Sequence, residues 1–153
     1  MSETTNANDL YQEMILDHNR KPRNFRKMES ATHQAEGFNP VCGDHFTVYF
    51  RVDGNQTIQE CAFEGSGCAI SKASASMMTQ SLVGKSLTEA RTLFDQFHGL
   101  LLGQLNPEKD PHALGKLKIF SGIWKFPSRV KCAGLSWHAA KAAWDGQTKA
   151  TTE

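Results

Sequence analysis

A chain of 153 residues is long enough for one hydrophobic core and short for two. With 17 basic against 16 acidic residues, its formal charge of +1 provides no field to draw it to nucleic acid or to a membrane surface. A content of 39% hydrophobic residues fits an ordinary globular chain, and no run approaches the roughly 20 apolar residues of a membrane span.

The N-terminal residues, Met1 to Asn6, have no basic segment followed by an apolar one and include an early acid, so the expected compartment is the cytoplasm. Four cysteines in that setting read as reduced thiols kept for metal or for catalysis rather than as disulfides. The expected organisation is a polar tail over 1–8, one domain over 9–146 and a second polar tail over 147–153.

From Asp9, the residues Leu10, Tyr11, Met14, Ile15 and His18 recur at helical spacing until Pro22 ends the pattern. The stretch from Arg23 through Gly37 has no periodicity and reads as a loop leading to the Asn39-Pro40 turn. His45 to Val52 alternates Phe46, Val48, Phe50 and Val52 with Thr47, Tyr49 and Arg51, the pattern of a half-buried strand. Asp53-Gly54-Asn55 is turn chemistry, and Thr57 to Phe63 returns as the partner strand, with Cys61 and Phe63 on one face. Gly65-Ser66-Gly67 breaks that strand, and a helix over Ala69 to Leu82 follows, opened by Cys68. Ser86-Leu87-Thr88-Glu89 is a capping box for a helix that runs to about Gly103. Leu114 to Phe120 reads as a short helix, and Arg129 to Trp144 as a longer one with Cys132 in its first turn.

Cys42, Asp44, Cys68 and Cys132 together have the composition of a closed tetrahedral zinc site, which takes thiolate and carboxylate ligands. Gly43 frees the backbone so that the side chains on either side of it can turn to one point. A cysteine at a helix N-terminus faces unpaired backbone amides that stabilise its thiolate, and this is expected for both Cys68 and Cys132. No Cys-x-x-Cys pair is present, so spacing alone leaves a zinc site and ordinary buried cysteines both open.

The local sequences decide more. Leu10-Tyr11 with Ile15-Leu16-Asp17-His18 and Pro22-Arg23-Asn24, Asn39-Pro40-Val41-Cys42-Gly43-Asp44, Gly67-Cys68-Ala69-Ile70-Ser71 and Phe126-Pro127-Ser128-Arg129-Val130-Lys131-Cys132 resemble the NifU N-terminal/IscU-like family over about Leu10 to Trp144. Within it the chain resembles the SufU branch, which carries lysine rather than histidine before the last cysteine, as at Lys131, and an extra segment like that from Asn106 to Gly122.

The resemblance implies an α/β fold of the α+β sandwich kind, a small and mainly antiparallel sheet packed against helices. It also implies zinc on Cys42, Asp44, Cys68 and Cys132. The implied function is a zinc-dependent sulfurtransferase of iron-sulfur cluster assembly: Cys42 accepts persulfide sulfur from a SufS-type cysteine desulfurase and the sulfur passes to a SufBCD-type assembly complex. The alternative within the family is a scaffold on which a [2Fe-2S] iron-sulfur cluster is assembled and from which it is transferred. Arg129 is expected near the metal as a hydrogen-bond partner of Asp44 or Cys42. A monomer is the expected state, since charge and periodicity give no sign of association.

Cys61, in a strand among apolar neighbours, is expected to pack rather than react. None of the six histidines has a partner at metal-binding spacing, and His45 should point away from Asp44. Phe25, Trp124 and Phe126 are candidates for a partly exposed docking surface.

Overall fold

Alternating side chains from His45 to Val52, a tight turn and a second extended run make a hairpin the natural way to pair these backbones. The computed structural model describes residues 7–151 and is built around that hairpin. The chain runs through α1 (Ala7–Arg20), β1 (His33–Asn39), β2 (Asp44–Val52), β3 (Ile58–Ser66), α2 (Ala69–Leu82), α3 (Leu87–Leu101), α4 (Pro127–Trp144) and β4 (Lys149–Thr151). Two short 3₁₀ turns, Gly115–Phe120 and Ile123–Lys125, lie between α3 and α4.

The strands form one sheet in the order β3-β2-β1-β4, antiparallel except for the β1–β4 pair. Phe46, Val48 and Phe50 of β2 point to the face covered by helices, where Phe50 stands opposite Cys61 and Val48 opposite Phe63. Burying side chains of this size stabilises the fold by about 1.5–3 kcal/mol each, before the entropy of ordering them is counted. On the opposite face Tyr49 is covered by Met28 and Ala62, and its hydroxyl donates to Glu64. Asp53 turns the β2–β3 hairpin by accepting from the backbone N–H of Asn55 (2.8 Å) and of Thr57 (3.0 Å).

Small residues let the helices approach one another and the sheet. On α2, Ser74 donates to the Ala133 carbonyl of α4 at 2.6 Å. Ser76 bonds His18 Nδ1 of α1 at 2.7 Å and accepts from the Arg23 N–H at 2.8 Å, so a buried, hydrogen-bonded imidazole joins α1 to α2. Burial holds the His18 pKa below its ordinary value. The capping box is formed, Ser86 and Glu89 exchanging bonds at 2.9 and 3.1 Å.

Three segments differ from expectation. The stretch read as a loop up to Gly37 contains β1, whose core-facing positions are Ala35, Gly37 and Asn39. They carry little apolar surface because α4 lies directly on them, and a Cβ at Gly37 would come within 3.1 Å of Ala139 Cβ and Leu135 Cδ1. The segment read as a polar tail from Gln147 contains β4, held by Glu36, Gly37 and Phe38 of β1. Of the expected N-terminal tail, residues 1–6 lie outside the described residues, and Ala7 and Asn8 already belong to α1. Among the described residues no helix is long and apolar enough to cross a membrane.

Gly37→Val should destabilise the protein by about 1–3 kcal/mol, the usual cost of overpacking, read from the urea midpoint at constant m-value. An unchanged midpoint would contradict the close approach of α4 to β1.

Candidate metal centre

Tight turn chemistry carries the first two site residues. Gly43, at φ +74°, donates its N–H to the Asn39 carbonyl at 2.8 Å, which closes the β1–β2 turn with Cys42 exposed on it. Asp44 is the first residue of β2 and is buried. Its Oδ1 accepts the Cys68 N–H at 2.8 Å, and its Oδ2 is 3.8 Å from Cys68 Sγ. The chains come this close because residue 67 is glycine. A Cβ there would stand 2.6 Å from Phe46 and Ser71 and 2.9 Å from Asp44 Oδ1.

Cys68 is the N-cap of α2, as expected, and its sulfur accepts the Ser71 N–H at 3.4 Å, with Ser71 Oγ 3.5 Å away. Cys132 differs from expectation. Pro127 is the first residue of α4, which puts Cys132 in the second turn, beyond the unpaired amides, and buried.

Cys42, Asp44 and Cys132 bring one ligand atom each to within 4.8 Å of one another, with 3.7 Å between the sulfurs of Cys42 and Cys132. Two sulfurs about 2.3 Å from one tetrahedral ion stand about 3.8 Å apart, so the donor set and this spacing fit zinc. Thiolates with a carboxylate also suit iron. Cys68 stands beside this group, reaching it through Asp44 and Cys132.

Cys68 and Cys132 differ in proton affinity. The hydrogen bond from Cys132 pulls Cys68 from the usual 9.0 down to about 6, helped by Ser71 and opposed by burial and by Asp44. The same bond, with burial and the negative charges of Cys68 and Asp44, pushes Cys132 up. Without metal the pair therefore favours the thiolate on Cys68 and the proton on Cys132. A divalent ion removes the mutual repulsion of the thiolates and displaces that proton.

Cys61 is fully buried in the core, where burial pushes its thiol pKa up and leaves it inert. His45 points to the outer sheet face and bonds Glu36 at 2.7 Å, and no histidine joins the ligand cluster among the described residues. Arg129 makes no hydrogen bond to Asp44 or Cys42. Its guanidinium lies instead over the Phe126 ring at 4.5 Å.

Two residues beside the candidate ligands, both present in the family motifs, carry no site role in the sequence reading. Asn39, buried, points Nδ2 at Cys132 Sγ (4.0 Å) and accepts the Val41 N–H (3.3 Å), joining the turn to α4. Its place before Pro40 in the cysteine turn was the available signal. Tyr11 buries its hydroxyl without a partner among the described residues, within electrostatic reach of Cys68, Cys132 and Arg129.

The model of the NifU-like N terminal domain matches residues 10–133. The chain belongs to this family. Among its relatives, the iron-sulfur cluster assembly scaffold protein IscU of Streptococcus pyogenes serotype M1 is 38% identical over 89% of this chain and 83% of its own length. The zinc-dependent sulfurtransferase SufU of Bacillus subtilis strain 168 is also 38% identical, over 91% and 92%. A crystal structure from Fervidobacterium islandicum AW-1, described as a scaffold for iron-sulfur cluster assembly in the SUF system, matches with a TM-score of 0.79 and 36% identity over 88% of this chain and 96% of that one. The NifU-type fold, a small sheet against helices, is thus shared, and relatives of both the IscU and the SufU kind are equally close in identity.

In metal-free protein, thiolate absorbance should show a first step near pH 6 that Cys68→Ser removes. Because the Cys68 pKa is depressed, its contribution to apo stability should be full above the ordinary thiol range and lost as pH falls through about 6. Wild type should therefore gain stability over the Cys68→Ser variant as pH rises across that window. A parallel pH dependence of the two proteins would contradict the assignment.

Proposed function

We propose that this protein works in iron-sulfur cluster assembly, with Cys42, Asp44, Cys68 and Cys132 as its working groups. The observation that carries this is the exposed Cys42 thiol set directly over the buried Cys132 and Asp44. Exposure gives a partner access to one ligand while the others stay held in place. The names of the relatives from S. pyogenes and F. islandicum weigh toward a scaffold. In that function the [2Fe-2S] cluster is the cargo: Cys42, Cys68 and Cys132 bind its iron through thiolates, and Asp44 supplies an oxygen ligand.

A second function, the zinc-dependent sulfur acceptor of the SufU branch, is favoured by the B. subtilis relative, by Lys131 and by the extra segment before α4. Bound zinc would keep the thiols deprotonated and unoxidised. Once freed, the Cys42 thiolate would attack the terminal sulfur of a persulfide on a pyridoxal-phosphate cysteine desulfurase. A new S–S bond forms on Cys42 and the desulfurase cysteine leaves as its thiolate. A SUF-type assembly complex would then receive the sulfur.

Anaerobic incubation with ferrous iron, a cysteine desulfurase and cysteine separates the two. The scaffold predicts a cluster on the protein that moves intact to an apo-ferredoxin. The acceptor predicts faster desulfurase turnover and one added sulfur on Cys42, both abolished in Cys42→Ala. A protein that neither carries a cluster nor gains sulfur would contradict both functions.

A further inference from the structure

Between α3 and α4 lies a cavity of about 410 Å³ that the metal centre does not use. Successive helix residues advance by about 100°, so Pro127, Val130, Lys131, Gly134 and His138 share one face of α4, and all of them line this cavity. Cys132, Leu135, Ser136 and Ala139 lie round the far side, buried toward the sheet. α3 contributes His98 and Leu101, and its C-cap Leu102 lies beside them. Trp124 closes one end, its indole laid against Gly103, where a Cβ would come within 2.8 Å of the ring.

The wall is apolar apart from His98, Lys131 and His138. All three are basic, no acid lines the cavity, and none of the three side chains makes a hydrogen bond or ion pair among the described residues. Packing rather than hydrogen bonding orients the imidazoles. Phe94 stacks on His98 at 5.7 Å, and the two histidine rings meet edge to face at 5.4 Å. Their N–H groups and the Lys131 ammonium are therefore available donors.

Gly134 is a second observation. In the middle of α4, alanine would make a better helix residue. A Cβ there would fit, 3.5 Å from both His138 Cδ2 and Leu101 Cδ1. The backbone does not demand glycine, and what its missing methyl leaves is room at the cavity floor.

We propose that this cavity binds a small amphiphilic carboxylate. The aliphatic or aromatic body of the ligand lies among Leu101, Val130 and Trp124, and its carboxylate meets Lys131 and the imidazole N–H groups. A volume of about 410 Å³ falls in the range of small-molecule sites, and a carboxylate is the group that supplies the negative charge and acceptors missing from the wall.

Octanoate is the probe, with octanol and octylamine as the neutral and oppositely charged controls, each titrated into the full chain below its micelle-forming concentration. Calorimetry and Trp124 fluorescence report binding, and Trp124→Phe identifies the fluorescence change. The expected result is one saturable octanoate site, at least about tenfold tighter than octanol, with no octylamine binding. Lys131→Gln should weaken octanoate about tenfold, the size of a charge-assisted hydrogen bond. Gly134→Leu should fill the floor and abolish binding. Gly134→Ala, which fits without displacing a neighbour, should keep the melting temperature and weaken binding, so that lost affinity and lost folding are told apart. The proposal is overturned by equal affinity for octanol and octanoate, by full binding in both Lys131→Gln and Gly134→Leu, or by no saturable site. N-acetyl-leucine, a mimic of a polypeptide C-terminus, would overturn a free acid as the natural source if it bound more tightly than octanoate.

Discussion

The hydrogen bond from the Cys68 N–H to Asp44 Oδ1, 2.8 Å long, extends the β2–β3 pairing at His45 and Ser66 into the metal centre. It ties the start of β2 to the cap of α2, and it forms only because Gly67 lets the Phe46 ring, Ser71 and Asp44 crowd around one backbone position. One carboxylate oxygen is used to hold the fold, and the other is left for a ligand. A buried carboxylate is costly without such a partner, so the site geometry and the local stability rest on the same contact. Asn39 does the same for the other side of the turn, reaching Cys132 across to α4.

α4 serves two environments at once. Its buried face carries Cys132 against the sheet, where α4 sits close enough to β1 that Gly37 and Ala139 touch. Its other face, with Lys131 and Gly134, looks onto α3. The lysine next to the last cysteine in sequence therefore points away from the sulfurs, as neighbouring positions on a helix must.

Much of this was legible in the sequence. The alternation of Phe46, Val48 and Phe50 marked β2, the Gly65-Ser66-Gly67 break and Gly84 bounded α2, and Ser86 with Glu89 capped α3. Three of the four expected ligands come together as a tight group with Cys68 alongside. What stayed hidden depended on contacts distant in sequence. β1 shows small residues to the core because a helix from a hundred residues later lies on it, and β4 is polar because a three-residue edge strand needs only backbone partners. The helix starts at Pro127, where proline's missing N–H costs nothing, and this places Cys132 one turn further in than its sequence suggests. That shift removes the helix-end stabilisation expected for its thiolate, and the pair instead polarises toward Cys68. Arg129, three residues before a candidate ligand, lies over an aromatic ring instead.

The central claim is that Cys42, Asp44, Cys68 and Cys132 hold one metal centre. X-ray absorption at the metal edge of protein purified without added metal, compared with the Asp44→Ala variant, tests it most directly. For a bound zinc ion the account predicts a shell of three sulfurs and one oxygen in the wild type, and for a cluster an oxygen beside the sulfurs and sulfides, with the oxygen lost or replaced in the variant in either case. A shell dominated by nitrogen and oxygen, or one that the substitution leaves unchanged, would contradict it.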